Sequence, residues 1–232
     1  SWIGVENFLG TFTFGKQQLA FDKYYGDLID RSQAFYATGY TTPHAGGLTL
    51  SSDLVKVSTS IGKFSADLDI RPDGPTRDAT IESRVGFGMM YRQWLNRISV
   101  GGAFDREERR NGTTVERYGG AVEYRSEQWT LAAGAHLVSD QTPEDTKSYN
   151  LLASVQITPD NAVHLSLSTI DDNDVYDSFL GAGYFVDHRI GSQFSLYSEG
   201  AATRVDAARG ANGIYAYRVL IGVRYDFGNV WY

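Results

Sequence analysis

Three histidines are the side chains best fitted to move a proton in this sequence: His136 and His164 within extended stretches, and His188 near a turn. Joined in space by a serine and an acid or amide, either strand histidine could drive ester hydrolysis. The sequence has no cysteine, which removes thiolate metal sites, cysteine nucleophiles and disulfides together. It contains no HExxH helix, histidine pair or acidic loop of EF-hand spacing, so no cofactor and no structural metal are implied. The run Asp171-Asp172-Asn173-Asp174 could hold calcium only loosely. The remaining chemistry is electrostatic. Twenty-eight acidic residues face 21 basic ones, for a formal net charge of −7, and no stripe of Lys and Arg is present for phosphates. Nucleic acid is therefore excluded as a partner.

The elements that must carry these residues follow from a period of two. In the last long segment Tyr215, Tyr217, Val219, Ile221, Val223, Tyr225 and Phe227 share one parity; Ala216, Arg218, Leu220, Gly222, Arg224 and Asp226 share the other. Successive strand side chains point to opposite faces, so this strand separates an apolar, aromatic side from a polar one. The same reading sets Ile81, Val85, Phe87, Met89 and Tyr91 against Glu82, Arg84, Gly86, Gly88 and Arg92, and Tyr118, Val122 and Tyr124 against Arg117, Glu123 and Arg125. Thirteen strands are expected: 1–7, 10–17, 53–60, 62–71, 79–92, 96–108, 113–126, 128–139, 147–157, 161–171, 175–187, 190–203 and 213–227.

Short turns such as Ser126-Glu127 alternate with longer polar connections such as 141–146 and 205–212, the pattern of an up-and-down meander with one tight rim and one rim of loops. A water-soluble β-sandwich would also alternate, but its strands run about 5 to 6 residues, whereas most of these approach the length that crosses a bilayer at a tilt of about 45°. In lipid every backbone polar group must be paired within the protein, so such a sheet has to close into a barrel. Aromatics near strand ends, Tyr91, Trp94, Trp129, Tyr149 and Tyr225, would form the two interfacial girdles. No stretch approaches the roughly 20 apolar residues of a spanning helix. The opening Ser1-Trp2-Ile3-Gly4-Val5 reads like the middle of a strand, so a processed or truncated chain is expected.

The stretch Trp2-Ile3-Gly4-Val5 through Leu9-Gly10-Thr11-Phe12-Thr13-Phe14-Gly15-Lys16-Gln17 resembles the general diffusion porins of Gram-negative bacteria, with Lys16 where that family usually has arginine. Tyr24-Tyr25-Gly26-Asp27-Leu28-Ile29-Asp30 is similar to the start of the family's inward-folded third loop, and Gly222-Val223-Arg224-Tyr225-Asp226-Phe227 to its terminal strand. The chain departs from the family in continuing as Gly228-Asn229-Val230-Trp231-Tyr232, and in lacking the loop's proline-glutamate-phenylalanine-glycine-glycine signature.

The resemblance implies an all-β, antiparallel transmembrane barrel of 16 strands, three of them preceding the present chain, with residues 18–52 as the pore loop within a single domain 1–232. It implies an outer-membrane location and a homotrimer embedded in lipid and lipopolysaccharide, and passive diffusion of ions and small polar solutes. It further implies a constriction with acids on the loop, Asp22, Asp27 and Asp30, facing bases on the wall, Lys16, Arg84 and Arg117. Arg92, Arg125, Arg218, Arg224, Glu82 and Glu123 would line the rest of the pore.

Lys16 shares the parity of Phe12 and Phe14, so it reaches the lumen only if pairing is broken near Gly15. Glycines on the polar parity, with charges of both signs, favour an open hydrated channel over a plugged core. A lipid hydrolase would need its triad on the lipid-facing surface, and both strand histidines lie on the polar parity; the expected protein is not an enzyme. A structural or adhesive barrel without transport is the alternative.

Overall fold

The computed structural model describes residues 2–8, 10–29, 51–72, 81–94, 97–140, 145–172, 176–190, 194–207 and 214–225. Asp30, Asp226, residues 31–50 of the expected 18–52 loop and the tail after 225 lie outside them, and the end of that range, 51–52, belongs to a strand. One antiparallel sheet contains all thirteen strands in sequence order: β1 (Trp2–Asn7), β2 (Gly10–Gln17), β3 (Ser51–Ile61), β4 (Phe64–Arg71), β5 (Ile81–Trp94), β6 (Ile98–Arg109), β7 (Thr114–Arg125), β8 (Trp129–Ser139), β9 (Thr146–Thr158), β10 (Asn161–Asp172), β11 (Tyr176–Ile190), β12 (Phe194–Ala207) and β13 (Ile214–Tyr225). Each expected strand is present, with ends displaced by a few residues. From β5 onward the strands run from 11 to 15 residues, enough to cross a bilayer at a tilt. Among the described residues β1 pairs only with β2 and β13 only with β12, so the sheet carries two edges.

The two faces are chemically distinct, as the alternation requires. On β7, Tyr118, Val122 and Tyr124 are exposed while Arg117, Ala121 and Glu123 are buried, and on β13 Val219, Ile221 and Val223 stand exposed beside Tyr217 and Tyr225. A face of valine, leucine and aromatics left outward while arginine, aspartate and serine point inward inverts a water-soluble protein; hydrocarbon outside and water inside account for it. Phe104 and Tyr118 pack with ring centroids 5.1 Å apart toward one rim of the outer face, and Tyr91, Tyr124 and Trp129 gather toward the other. Aromatic rings with one apolar side and a polar tip suit these interfacial positions.

Two of the register shifts bear on the expected site residues. The β5–β6 register shifts between Ile81 and Ser83, and there Ile81 is buried and Glu82 exposed, the reverse of the expected order. Between β2 and β3 the register shifts between Gly15 and Gln17, but the extra residue is on β3, where Asp53 has φ 60°. β2 therefore keeps its phase: Lys16 stays on the exposed parity of Phe14, and Gln17 is the buried residue, donating from Nε2 to the Leu54 carbonyl at 3.2 Å.

Candidate pore constriction

After β2 the chain turns onto the polar face of the sheet. Residues Asp22–Gly26 form one wide helical turn, continued by a short α-helical turn, Asp27–Ile29. Together they build a small apolar core on a wall that is otherwise polar: Ala20, Phe21, Tyr24, Tyr25, Leu28 and Ile29 pack with Met90 and Ala121 of the sheet. Tyr24 and Tyr25 are fully buried. A water-exposed wall cannot bury two phenols unless backbone comes close to backbone.

Four glycines, one on each of four consecutive strands, allow that approach. A methyl group on Gly88 (β5) would clash with the Tyr24 ring, and one on Gly101 (β6) with the Tyr24 carbonyl. On Gly119 (β7) it would lie 2.8 Å from the Tyr25 ring, and on Gly134 (β8) 2.8 Å from Ile29 Cγ2. These lumen-side glycines were expected to mark open, hydrated wall; instead they form the floor on which the inward segment rests.

Polar contacts complete the docking. Asn150 Nδ2 donates to Tyr25 Oη at 2.9 Å, and the same hydroxyl lies 3.4 Å from His136 Nδ1. Phe21 and Tyr25 both present ring contacts to His136. Burial raises both phenol pKa values above the ordinary tyrosine value, so Tyr24 and Tyr25 stay neutral across the physiological range. The wall acids Asp67 and Asp69 also hold the segment: Asp67 takes Lys23 and Tyr24, Asp69 accepts from the Ala20 amide, and Lys56 donates to the Gln18 carbonyl.

The candidate charges are distributed differently from the expected facing rows. Arg84 donates to Asp105 through Nε at 2.5 Å and Nη2 at 2.7 Å, Arg117 reaches Asp105 at 2.5 Å, and both lie within 3.6 Å of Glu107. These two arginines are thus buried in ion pairs with their own wall. Such a pair contributes little net stability but is costly to break, because a charge is left buried without its partner. Arg84→Ala is expected to cost about 3 kcal/mol in urea unfolding from lipid vesicles, whereas Arg92→Ala, at an exposed site, should stay within about 0.5 kcal/mol.

Asp22 is buried within the segment, and Asp27 is exposed and accepts from Gln18 Nε2 at 2.9 Å. Beside Asp27 opens a crevice of about 740 Å³ between the segment and the wall. From the segment it is lined by Lys23 and Asp27; from the sheet and its turns by Arg92, Arg97, Glu123 and Arg125, with Glu127 at the short-turn rim. Arg125 pairs with Glu123 at 3.0 Å, and Arg97 donates to Tyr124 Oη at 3.1 Å. Gln93, also in the lining, has φ 57° where the register shifts between Tyr91 and Trp94. A non-glycine residue in that region costs roughly 1 kcal/mol or more, and such strain tends to gather at functional surfaces.

On the far wall, Arg224 lies 3.2 Å from Asp187, and Arg218 is exposed on the polar parity of β13. The structure therefore brings Asp27, Arg92, Arg125 and Glu123 to one crevice, sets Arg84 and Arg117 apart from it in the wall, and leaves Lys16 and Glu82 exposed outside it. Lys23 and the glycine floor were missing from the expected site. Lys23 carried no signal in the alternation, because it lies outside the strands.

A family model described as Gram-negative porin matches residues 1–208. No curated protein matches the chain. Among solved structures the chain is similar to OmpT of Vibrio cholerae, expressed in the outer membrane, with 16% identity, 97% of this chain and 79% of that one covered and a TM-score of 0.72. It is also similar to an anion-selective porin from Comamonas acidovorans, at 15% identity over 97% of this chain and 76% of that chain, with a TM-score of 0.70. The third is OmpF of Salmonella typhi in complex with daunomycin: 12% identity, 96% of this chain and 77% of that chain, TM-score 0.69. At these identities the likeness to solved structures is one of fold.

Proposed function

The chain belongs to the Gram-negative porin family, and from that premise we propose that the crevice beside Asp27 is where its pore narrows. The protein is an outer-membrane β-barrel through whose water-filled lumen ions and small polar solutes diffuse passively. One observation carries the assignment of the narrowing: a helical segment docked on the polar face leaves a gap lined by charges of both signs, Asp27 and Lys23 on one side and Arg92, Arg97, Glu123 and Arg125 on the other. Solutes squeezed past it exchange hydration for these side chains, which favours small polar solutes over bulky apolar ones. Arg84 and Arg117 act on the wall as struts, and Lys16, Asp22 and Glu82 take no part in the narrowing. Arg218 and Arg224 line the wider lumen beyond.

The assembled protein is a closed barrel of 16 strands, a single domain in which three further strands join the edges of β1 and β13. Unpaired edges are untenable in hydrocarbon, which supports this. It is a homotrimer in lipid and lipopolysaccharide, as OmpT of Vibrio cholerae has a trimer form. The family supports a channel rather than an enzyme; His136 is buried against Tyr25 and Phe21, and His164, 2.7 Å from Ser154 Oγ, lies on the polar face of the wall, away from the lipid-facing surface where a lipid hydrolase would need its triad.

Planar bilayers test the pore. The full-length porin should give stepwise ion conductance, and Arg92→Glu should shift the reversal potential in a salt gradient toward cations. Folded, inserted barrels without conductance would leave a structural role instead. For the trimer, unheated protein crosslinked in mild detergent should run at three times the monomer mass; a monomer band alone would refute it.

A further inference from the structure

Asp67, midway along β4, collects three donors on one carboxylate. Lys23 Nζ lies 3.0 and 2.8 Å from its two oxygens, Tyr24 Oη donates at 2.8 Å, and Lys56 Nζ of the neighbouring strand is 3.4 Å away. The three differ in their access to water. The Asp67 side chain is 1% exposed and that of Lys56 8%, but that of Lys23 is 33% exposed. Tyr24 is pinned over Gly88 and cannot retreat.

Lys23 is therefore the link in this cluster that water and salt can reach. It can also let go without stranding a buried charge, since Lys56 and Tyr24 would still hold Asp67. Lys23 lines the crevice as well, so its attachment on one side and the free width on the other are coupled through a single side chain.

We infer that the Lys23–Asp67 clasp is the adjustable fastening of the inward segment and sets the size limit for solutes passing the crevice. This rests on the crevice being the solute path. The glycine floor fixes where the segment sits, while the clasp fixes how firmly its leading turn is drawn to the wall. Asp67 is a positioning residue for diffusion, and Lys23 both positions the segment and lines the path.

The test uses the full-length porin with Lys23→Met, Asp67→Asn, both together, and Asp67→Glu, in vesicles challenged with neutral sugars of increasing size and in planar bilayers. Each single change should admit sugars at least one ring larger and raise open-channel noise several-fold. The double variant should go no further than the single ones, and Asp67→Glu should restore the original limit. Salt gives a readout that a merely structural role would not move. Screening tightens from about 10 Å at 0.1 M to about 3 Å at 1 M, so the original protein should become noisier in strong salt while Lys23→Met stays indifferent.

Original size limits and noise in both single variants, or effects that add in the double, would overturn the clasp. If Asp67→Asn yields no barrels, Lys23→Met decides alone, because Lys23 lies outside the sheet. An unmodified protein without conductance would instead refute the pore assignment, and the clasp with it.

Discussion

Val122→Arg is expected to abolish assembly into lipid. Val122 is 48% exposed on the outward face of β7, two residues from Tyr124 and four from Tyr118, which places it within the apolar band rather than at a girdle. A guanidinium at the midplane of a barrel's lipid face costs about 2 to 4 kcal/mol, a large share of the roughly 5 to 15 kcal/mol that stabilises a typical folded domain. The band of unheated, folded barrel should disappear, with the chain recovered in the unfolded fraction.

Since a soluble sandwich would also reject that arginine, solvent contact has to be measured alongside. Arg218→Cys and Arg224→Cys should react with a small charged thiol reagent, whereas Val219→Cys, Ile221→Cys and Val223→Cys should react only with lipid-soluble ones. Equal reactivity of both sets toward the charged reagent would sink the assignment of faces.

Gly119→Leu should leave the barrel folded and unseat the inward segment. A first methyl already falls 2.8 Å from the Tyr25 ring and 3.0 Å from Phe21, and overpacking a fitted contact costs about 1 to 3 kcal/mol. The segment is the part free to move, because the sheet beneath it is held by continuous hydrogen-bonded ladders on both sides of β7. Conductance and the sugar size limit should therefore both rise. Gly120→Leu is the control: it is the adjacent residue of the same strand, on the opposite face, with open space where its side chain would grow. It should leave conductance unchanged. Equal effects from both substitutions would mean that glycine content as such, rather than the docking floor, is being disturbed.

The faces of the sheet, the strands and their order were legible from local residue patterns alone. Alternation is written into neighbouring residues, because the pleat turns each side chain by half a turn from the last, so Tyr217, Val219 and Ile221 declare one environment and Arg218 and Arg224 the other without reference to the rest of the chain. Strand length and the alternation of tight turns with longer connections followed in the same local way. Which residues meet across the barrel depended on the folded chain.

Tyr25 binds Asn150, 125 positions away, and Lys23 binds Asp67, 44 positions away; nothing in either neighbourhood announces the other. Parity could put Arg84 and Arg117 on the inner face but could not tell a guanidinium open to solutes from one folded onto Asp105. It placed Gly88 and Gly119 inside but not beneath a tyrosine, and it had the wrong phase at Ile81 and Glu82, where one extra residue resets the count. Local spacing fixes the direction of a side chain, whereas its partner depends on register, bulges and a segment arriving from elsewhere, which are settled only when the whole sheet is packed.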